Sequence, residues 1–345
     1  MGYEIVKYRA EFRGEVIELQ KLLFSLDVAL NSAYFAWRYE RNPYLEEPLV
    51  YLALYEGKVV GMRGLFGAKW QNGGSGQSWL GVCATDLAIA PEHRKRGLFA
   101  QIMRMALDDL AELGHTYVFN LSANRTTYFS SLATGWQGFG SVQPMLWTKT
   151  GDPWHSLDRN GRLTSPAISP YVKLEYSPRP EAMADLVERI GTDGRIRHIR
   201  DQQYLTWRYQ NPLSKYRFLY WEDSRLRGYL VLRASIHAYN ADIEIVDWEA
   251  ADEQVRADLL NAAIEWGAFD NITIWSSTLP VETKTLLESA GFHLLQQTEG
   301  FAQSFPTVLI RPVRDELLKK DWVSGGLRLL DSHSWDLRMI YSDGH

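Results

Sequence analysis

At 345 residues the chain is long for one domain, and two domains of ordinary size are the better expectation. Hydrophobic residues make up 46% and charged residues 23%, which excludes a disordered chain or a fibre. A formal net charge of −5 argues against nucleic acid as a partner, because no broad basic face offsets the acids. Cys83 is the single cysteine, so no intramolecular disulfide can form.

The first residues, MGYEIVKYRAEF, alternate like a strand and lack the long apolar core of a signal peptide. No run approaches the length needed to cross a bilayer. The expectation is a soluble cytoplasmic protein without a membrane partner.

In chain order, a strand over Glu4–Tyr8 and a helix over Val16–Phe24 precede the segment YFAWRYERNP, residues 34–43. Next comes LVYLALYEGKVVGMRGLFG, two strand-like runs joined by Glu56-Gly57, a hairpin signal. VCATDLAIA, residues 82–90, is a mostly apolar run that suits a buried strand, and Pro91 ends it. Then His93-Arg94-Lys95-Arg96 leads into Gly97. From there apolar residues fall at 98, 99, 102, 103, 106, 107 and 110, the rhythm of a helix with one buried face. Gly114 sits where a helix C-cap is expected, and HTYVFNL reads as the next strand.

GDPWHSLDRNGRLTSP, residues 151–166, has the composition of a linker. Beyond it the same grammar returns: a strand over Tyr171–Tyr176, a helix over Ala182–Ile190, then YLTWRYQNP, residues 204–212. YRFLYWEDSRLRGYLVLRA follows as a second hairpin, with Glu222-Asp223-Ser224 at its turn. Trp37-Arg38-Tyr39 and Trp207-Arg208-Tyr209 are each followed within four residues by Asn-Pro. One such pair could arise by chance; the same order of elements twice indicates a duplicated unit. The expected division is 1–150, a linker over 151–166, and 167–345 with a C-terminal tail.

The basic cluster lies between a strand and a helix N-terminus, where the first backbone N–H groups are unpaired and the dipole is positive. Cations are unfavourable there unless an anion binds. Backbone donors with Arg94, Lys95 and Arg96 would hold a pyrophosphate, and Gly97 lets the backbone approach it. A solvated basic loop is the alternative.

DLAIAPEHRKRGLFAQIM resembles motif A of the GNAT acyltransferase superfamily, whose Arg/Gln-x-x-Gly-x-Gly/Ala loop binds the coenzyme A pyrophosphate. Arg94 falls on the first position and Gly97 on the central glycine, while Phe99 departs from the final small residue. The resemblance implies an α/β fold of mixed sheets, as two GNAT-like domains in tandem, with acetyl-CoA or another acyl-CoA as co-substrate and no metal. It assigns cofactor contacts to Arg94, Lys95, Arg96, Gly97, Leu98 and Phe99, and to the strand residues Leu87, Ala88 and Ile89. It assigns a cofactor contact also to Asn124, which anchors the segment that follows. In the second half, VDWEAADEQVRADLLNAAIEW puts Asp247, Glu249, Asp252 and Glu253 where cations should be, with no glycine at the turn. That half is expected to be GNAT-like without coenzyme A binding.

Acyl transfer from a thioester to an amine needs a neutral amine, a stabilised oxyanion and a proton for the thiolate. Asp86, on the strand before the loop, is the candidate base; a hydrogen bond to a neighbouring loop is the alternative use. The family's tyrosine proton donor falls on Ser131 in NRTTYFSSLATGW, and Tyr128 stands three residues earlier, so Ser131, water or Tyr128 remain open. In the tail, His333 lies close to Asp331 and Asp336, and some tandem GNAT enzymes bring this segment into the active site. Arg38, Glu40 and Arg41 of the first Trp-Arg-Tyr copy could line an acceptor cleft, against simple packing of an aromatic helix face. The reading is a coenzyme A-dependent N-acyltransferase acting on a primary amine of a small metabolite. Thirteen Trp and eighteen Tyr lean it toward an amino sugar. A Fem-type aminoacyl transferase and a non-catalytic coenzyme A-binding regulatory or scaffold protein are the alternatives. Oligomeric state is not readable.

Overall fold

The computed structural model describes residues 2–149, 168–235, 242–267, 269–295 and 307–342. The linker expected at 151–166 lies outside them.

The chain opens with β1 (Tyr3–Lys7), α1 (Arg13–Leu19) and α2 (Val28–Phe35), which continues as a π-helical turn over Ala36–Glu40. Asp27 starts α2 by accepting from the Ala29 and Leu30 N–H groups. Next come β2 (Leu49–Tyr55), β3 (Lys58–Asn72) and β4 (Ser78–Ile89). Glu56 and Gly57 both have positive φ, 51° and 77°, the backbone that a tight hairpin between β2 and β3 requires. After α3 (Leu98–Glu112) follow β5 (Tyr117–Ala123), α4 (Arg125–Leu132), β6 (Gln137–Ser141) and β7 (Pro144–Thr148). The helical rhythm read from the sequence is the buried face of α3: Leu98, Ile102, Met103, Ala106, Leu107 and Leu110.

The later elements are β8 (Val172–Glu175), α5 (Pro180–Ile190), β9 (Ile196–His198), α6 (Gln202–Arg208), β10 (Ser214–Glu222) and β11 (Leu226–Ser235). Then come β12 (Asp242–Ala250), α7 (Glu253–Trp266), β13 (Asn271–Trp275), α8 (Val281–Ser289), β14 (His293–Leu294) and β15 (Thr307–Pro312).

These elements form two compact units, each around its own mixed sheet. The first holds Met1–Ser141, Arg195–Ile199 and Pro306–Ser334; the second holds Val142–Gly194, Arg200–Phe305 and Trp335–His345. The first sheet runs β1-β2-β3-β4-β5-β15-β6, with β9 paired to β3; the second runs β14-β7-β13-β12-β11-β10-β8. The contiguous division at residues 150 and 167 is therefore revised. β7 belongs to the second sheet, where Met145 pairs with Ile274, and β15 to the first, where Ile310 pairs with Phe119. A short apolar strand fits any sheet with an open edge of the right register, so its address is invisible in its own sequence.

The duplication is visible residue by residue. Gly61 pairs with Ile89 and Met62 with Ala88 in the first unit, as Gly228 pairs with Ala250 and Tyr229 with Glu249 in the second. Each ladder then carries one register shift, between Arg63 and Gly64 and between Val231 and Leu232.

Candidate active site

β4 and β5 are parallel but pair only at Val82 with Val118 and Cys83 with Phe119. Beyond that point β4 stays on β3 as far as Ile89, while β5 follows β15 as far as Ala123. A wedge opens between them. The Ala90 N–H donates to the Val60 carbonyl on the β3 side, so strand alternation turns the backbone groups of Leu87 and Ile89 into the wedge. The Ile89 carbonyl is already engaged, accepting from Arg94 Nε at 3.0 Å.

The loop from β4 to α3 turns its backbone donors outward. Lys95 and Gly97 both take left-handed backbone, φ 60° and 73°, so successive N–H groups turn to one side. Gly97 caps α3 without a side-chain hydrogen bond, which leaves the first-turn donors of a 15-residue helix unclaimed. Arg94, Lys95 and Arg96 are exposed and make no ion pair among the described residues. Leu98 is buried and Phe99 packs half-buried on the same apolar cluster as Tyr128. Phe99 thus faces the core side of the helix start, which accommodates a bulky side chain where a small one was expected.

Asp86 sits on the β4 bulge. The ladder passes from Arg63–Leu87 to Gly64–Thr85 and skips it, with its φ at 45°. The carboxylate accepts from Tyr39 at 2.5 Å, Thr85 at 2.9 Å and Tyr34 at 3.2 Å. Tyr39 belongs to the π-helical turn after α2 and is fully buried; burial first, then the Asp86 charge, holds its hydroxyl well above the ordinary tyrosine range. Arg63 on β3 is buried and interacts electrostatically with Asp86 and Tyr39. Burial pushes its guanidinium down to about 10, which leaves it cationic at neutral pH. Tyr34, Tyr39, Thr85 and Arg63 were not singled out in the sequence. The signal for the tyrosines was present: Tyr34 and Tyr39 recur as Tyr204 and Tyr209 around the second Trp-Arg-Tyr.

The other expected residues lie as follows. Arg38 is fully buried, its guanidinium 4.0 Å from the Phe66 ring centroid, so it does not line an open cleft; Arg41 is exposed. Asn124 caps α4, its side chain accepting from the Thr127 N–H at 2.9 Å. Ser131 is buried, whereas Tyr128 is half-buried against the apolar cluster of the first unit. His333 is 93% exposed and its ring contacts Asp331 at 3.0 Å, while Asp336 is buried in the second unit against Arg338. The three tail residues do not form one group.

The second unit keeps the frame and fills it differently. β12 pairs with β13 only over Asp242–Glu244, so a corresponding wedge opens. Its own C-terminal segment bridges that wedge: the Leu337 N–H donates to Thr278 Oγ1 at 2.9 Å, and Arg338 donates to the Trp248 carbonyl at 2.6 Å. Asp247, the counterpart of Asp86, is buried between Arg200 at 2.7 Å and Arg338 at 3.0 Å. At the start of α7 the Asp252 carboxylate accepts from the Val255 N–H, taking the place an anion would need.

Residues 4–132 match the acetyltransferase (GNAT) domain family. The first unit thus carries the segment similar to that domain, and the second repeats its order of elements without the basic loop. A GCN5-related N-acetyltransferase from Anabaena variabilis is 16% identical with a TM-score of 0.62, covering 91% of this chain and 73% of that one. A probable N-acyltransferase from Enterococcus faecalis is 15% identical with a TM-score of 0.58 and the same coverages, 91% and 73%. A tandem GNAT protein from the clavulanic acid biosynthesis pathway is 12% identical with a TM-score of 0.55, covering 91% of this chain and 99% of that one. At these identities the likeness is one of fold. No curated protein matches the sequence.

Proposed function

We propose that the first unit moves an acetyl or other short acyl group from acyl-CoA directly to a primary amine of a small metabolite. The observation that carries this reading is the convergence in one unit of three features: the β4–β5 wedge, the uncapped α3 N-terminus with Arg94, Lys95 and Arg96, and the Asp86 carboxylate.

In this reading the pyrophosphate lies against the N–H groups around Gly97, and the pantetheine arm runs along Leu87 in the wedge. The amine reaches the thioester as a free base, its proton taken by Asp86 directly or through one water. The C–N bond forms first and gives a tetrahedral oxyanion that wedge N–H groups stabilise; the nitrogen loses a proton to water, and collapse of the oxyanion breaks the C–S bond. The departing thiolate, with a solution pKa of about 8.5, is protonated late by water or by Tyr128. Direct transfer is favoured over a covalent enzyme intermediate because burial pushes the Cys83 thiol up to about 12. Trp37, Trp70 and Trp335 fill the interior, so aromatic content lends no separate support to a sugar, and an amino sugar becomes one acceptor to try among others.

Calorimetry with acetyl-CoA, then a thiol-release assay over aliphatic, aromatic and sugar amines, tests the reading. Arg94→Ala and Gly97→Asp should each weaken acetyl-CoA binding tenfold or more, about 1.4 kcal/mol. Unchanged affinity in both variants overturns the loop assignment. Tight binding without turnover on any amine overturns the transfer.

A further inference from the structure

We propose that Tyr39, the tyrosine of the first Trp-Arg-Tyr segment, is a positioning residue of the acyl transfer, which with Tyr34 aims the Asp86 carboxylate at the incoming amine. The inference rests on the reading of the first unit as the transfer site.

Three independent features of the fold converge on this contact. The first is the hydrogen bonding itself. Tyr39 donates to Asp86 Oδ2 at 2.5 Å, while Tyr34 and Thr85 donate to Oδ1 at 3.2 and 2.9 Å. Both carboxylate oxygens are engaged, so the group has one orientation.

The second is the space made for it. A Cβ on Gly64 would lie 1.9 Å from the Tyr39 hydroxyl and 2.4 Å from its Cζ. Only glycine at that point of β3 admits the ring. Gly64 also flanks the register shift that throws Asp86 out of the ladder into left-handed backbone. Strain of this kind persists where the surroundings over-determine it, and it concentrates at functional sites.

The third is the helix. An α-helix places residues five apart on different faces, whereas the π-helical turn over Ala36–Glu40 brings the Tyr34 and Tyr39 hydroxyls to one carboxylate.

The second unit is an internal control. It retains the carboxylate as Asp247 and the tyrosines as Tyr204 and Tyr209, yet neither of those hydroxyls reaches the acid. Tyr204 donates to the Ile340 carbonyl, and the Tyr209 hydroxyl is buried without a partner among the described residues. Arg200, Arg338 and Tyr229 hold Asp247 instead. A carboxylate locked to two arginines is a structural pin. One held by hydroxyls keeps its charge available to a cationic substrate. The hydroxyl clamp therefore goes with the unit that carries the open cradle.

Tyr34 and Tyr39 from the α2 segment and Arg63 from β3 face Asp86. Tyr39→Phe should lower kcat tenfold or more, with KM for the amine and acetyl-CoA affinity within twofold. Tyr34→Phe should do the same more weakly. Tyr209→Phe should leave turnover as in the wild type, and melting temperatures of all three separate positioning from folding. A Tyr39→Phe enzyme with wild-type kcat overturns the proposal. One arm does not depend on turnover. With 13C at tyrosine Cζ, the resonance missing from Tyr39→Phe should move on Asp86→Asn; if it stays still, the positioning role falls alone. A wild-type chain inert on every amine overturns the transfer reading and, with it, this role.

Discussion

Gly64 is the residue on which the candidate site turns. Gly64→Ala must displace Tyr39, because a Cβ and the phenol cannot share the space. We expect a loss of about 1–3 kcal/mol in urea unfolding, the usual result of overpacking a core. Turnover should fall at least as far as in Tyr39→Phe. Cys83 makes the opposite prediction. Its thiol is buried and held protonated, so iodoacetamide at pH 8 should leave the native chain unmodified by mass spectrometry and label it fully in denaturant. The sequence put Asp86 forward as a candidate because an acid on a strand before a glycine loop stands out. It could not show Tyr34 and Tyr39 beside it, since those contacts close over 52 and 47 residues. The recurrence of the same three residues in the second repeat was the available sign.

At the scale of elements, α3 and its loop follow from local rules: apolar spacing, a left-handed glycine and an uncapped start. The loop is exposed, so Arg94→Ala should change stability by less than about 0.5 kcal/mol while weakening acetyl-CoA binding. α6 behaves differently. Arg208 is buried and donates to the Ile340 carbonyl at 2.7 Å and the Ser342 carbonyl at 2.8 Å, so the second Trp-Arg-Tyr segment anchors the C-terminal segment. Arg208→Met removes two charge-assisted hydrogen bonds to buried carbonyls, at about 1–3 kcal/mol each, and should lower the urea midpoint clearly. Both copies of the motif pack as an aromatic helix face, as the plainer reading of the sequence held. What differs is the task of the polar groups on that face, which depends on what lies opposite.

For the whole molecule, β15 runs between β5 and β6, with β5 itself next to β4 at the candidate site. A chain cut after residue 150 lacks that central strand. It should therefore fail to give a cooperative thermal transition, even though it contains all of residues 4–132, the segment that matches the family domain. The buried charges of the second unit set a pH limit. Burial pushes the Glu249 carboxyl up, but the charges of Arg338 and Arg200 outweigh it and the net shift is down. A group with a lowered folded pKa adds stability above its unfolded value, about 4.3, and loses it as pH falls through the folded value. The chain should thus lose stability as pH drops below about 4.5, and Arg338→Met should move the acid-unfolding midpoint upward, as followed by circular dichroism.

The sequence by itself determined the two repeats, their element order, the basic loop of the first and the acidic start of the second. All of these rest on periodicity, charge and turn chemistry within some twenty residues of one another. Tertiary structure alone decided which sheet receives β7 and β15, that Arg38 turns inward onto Phe66, and that two tyrosines clamp Asp86 while two arginines pin Asp247. Those outcomes depend on long-range pairing, where one strand or one carboxylate has several chemically acceptable partners and only the complete packing selects among them.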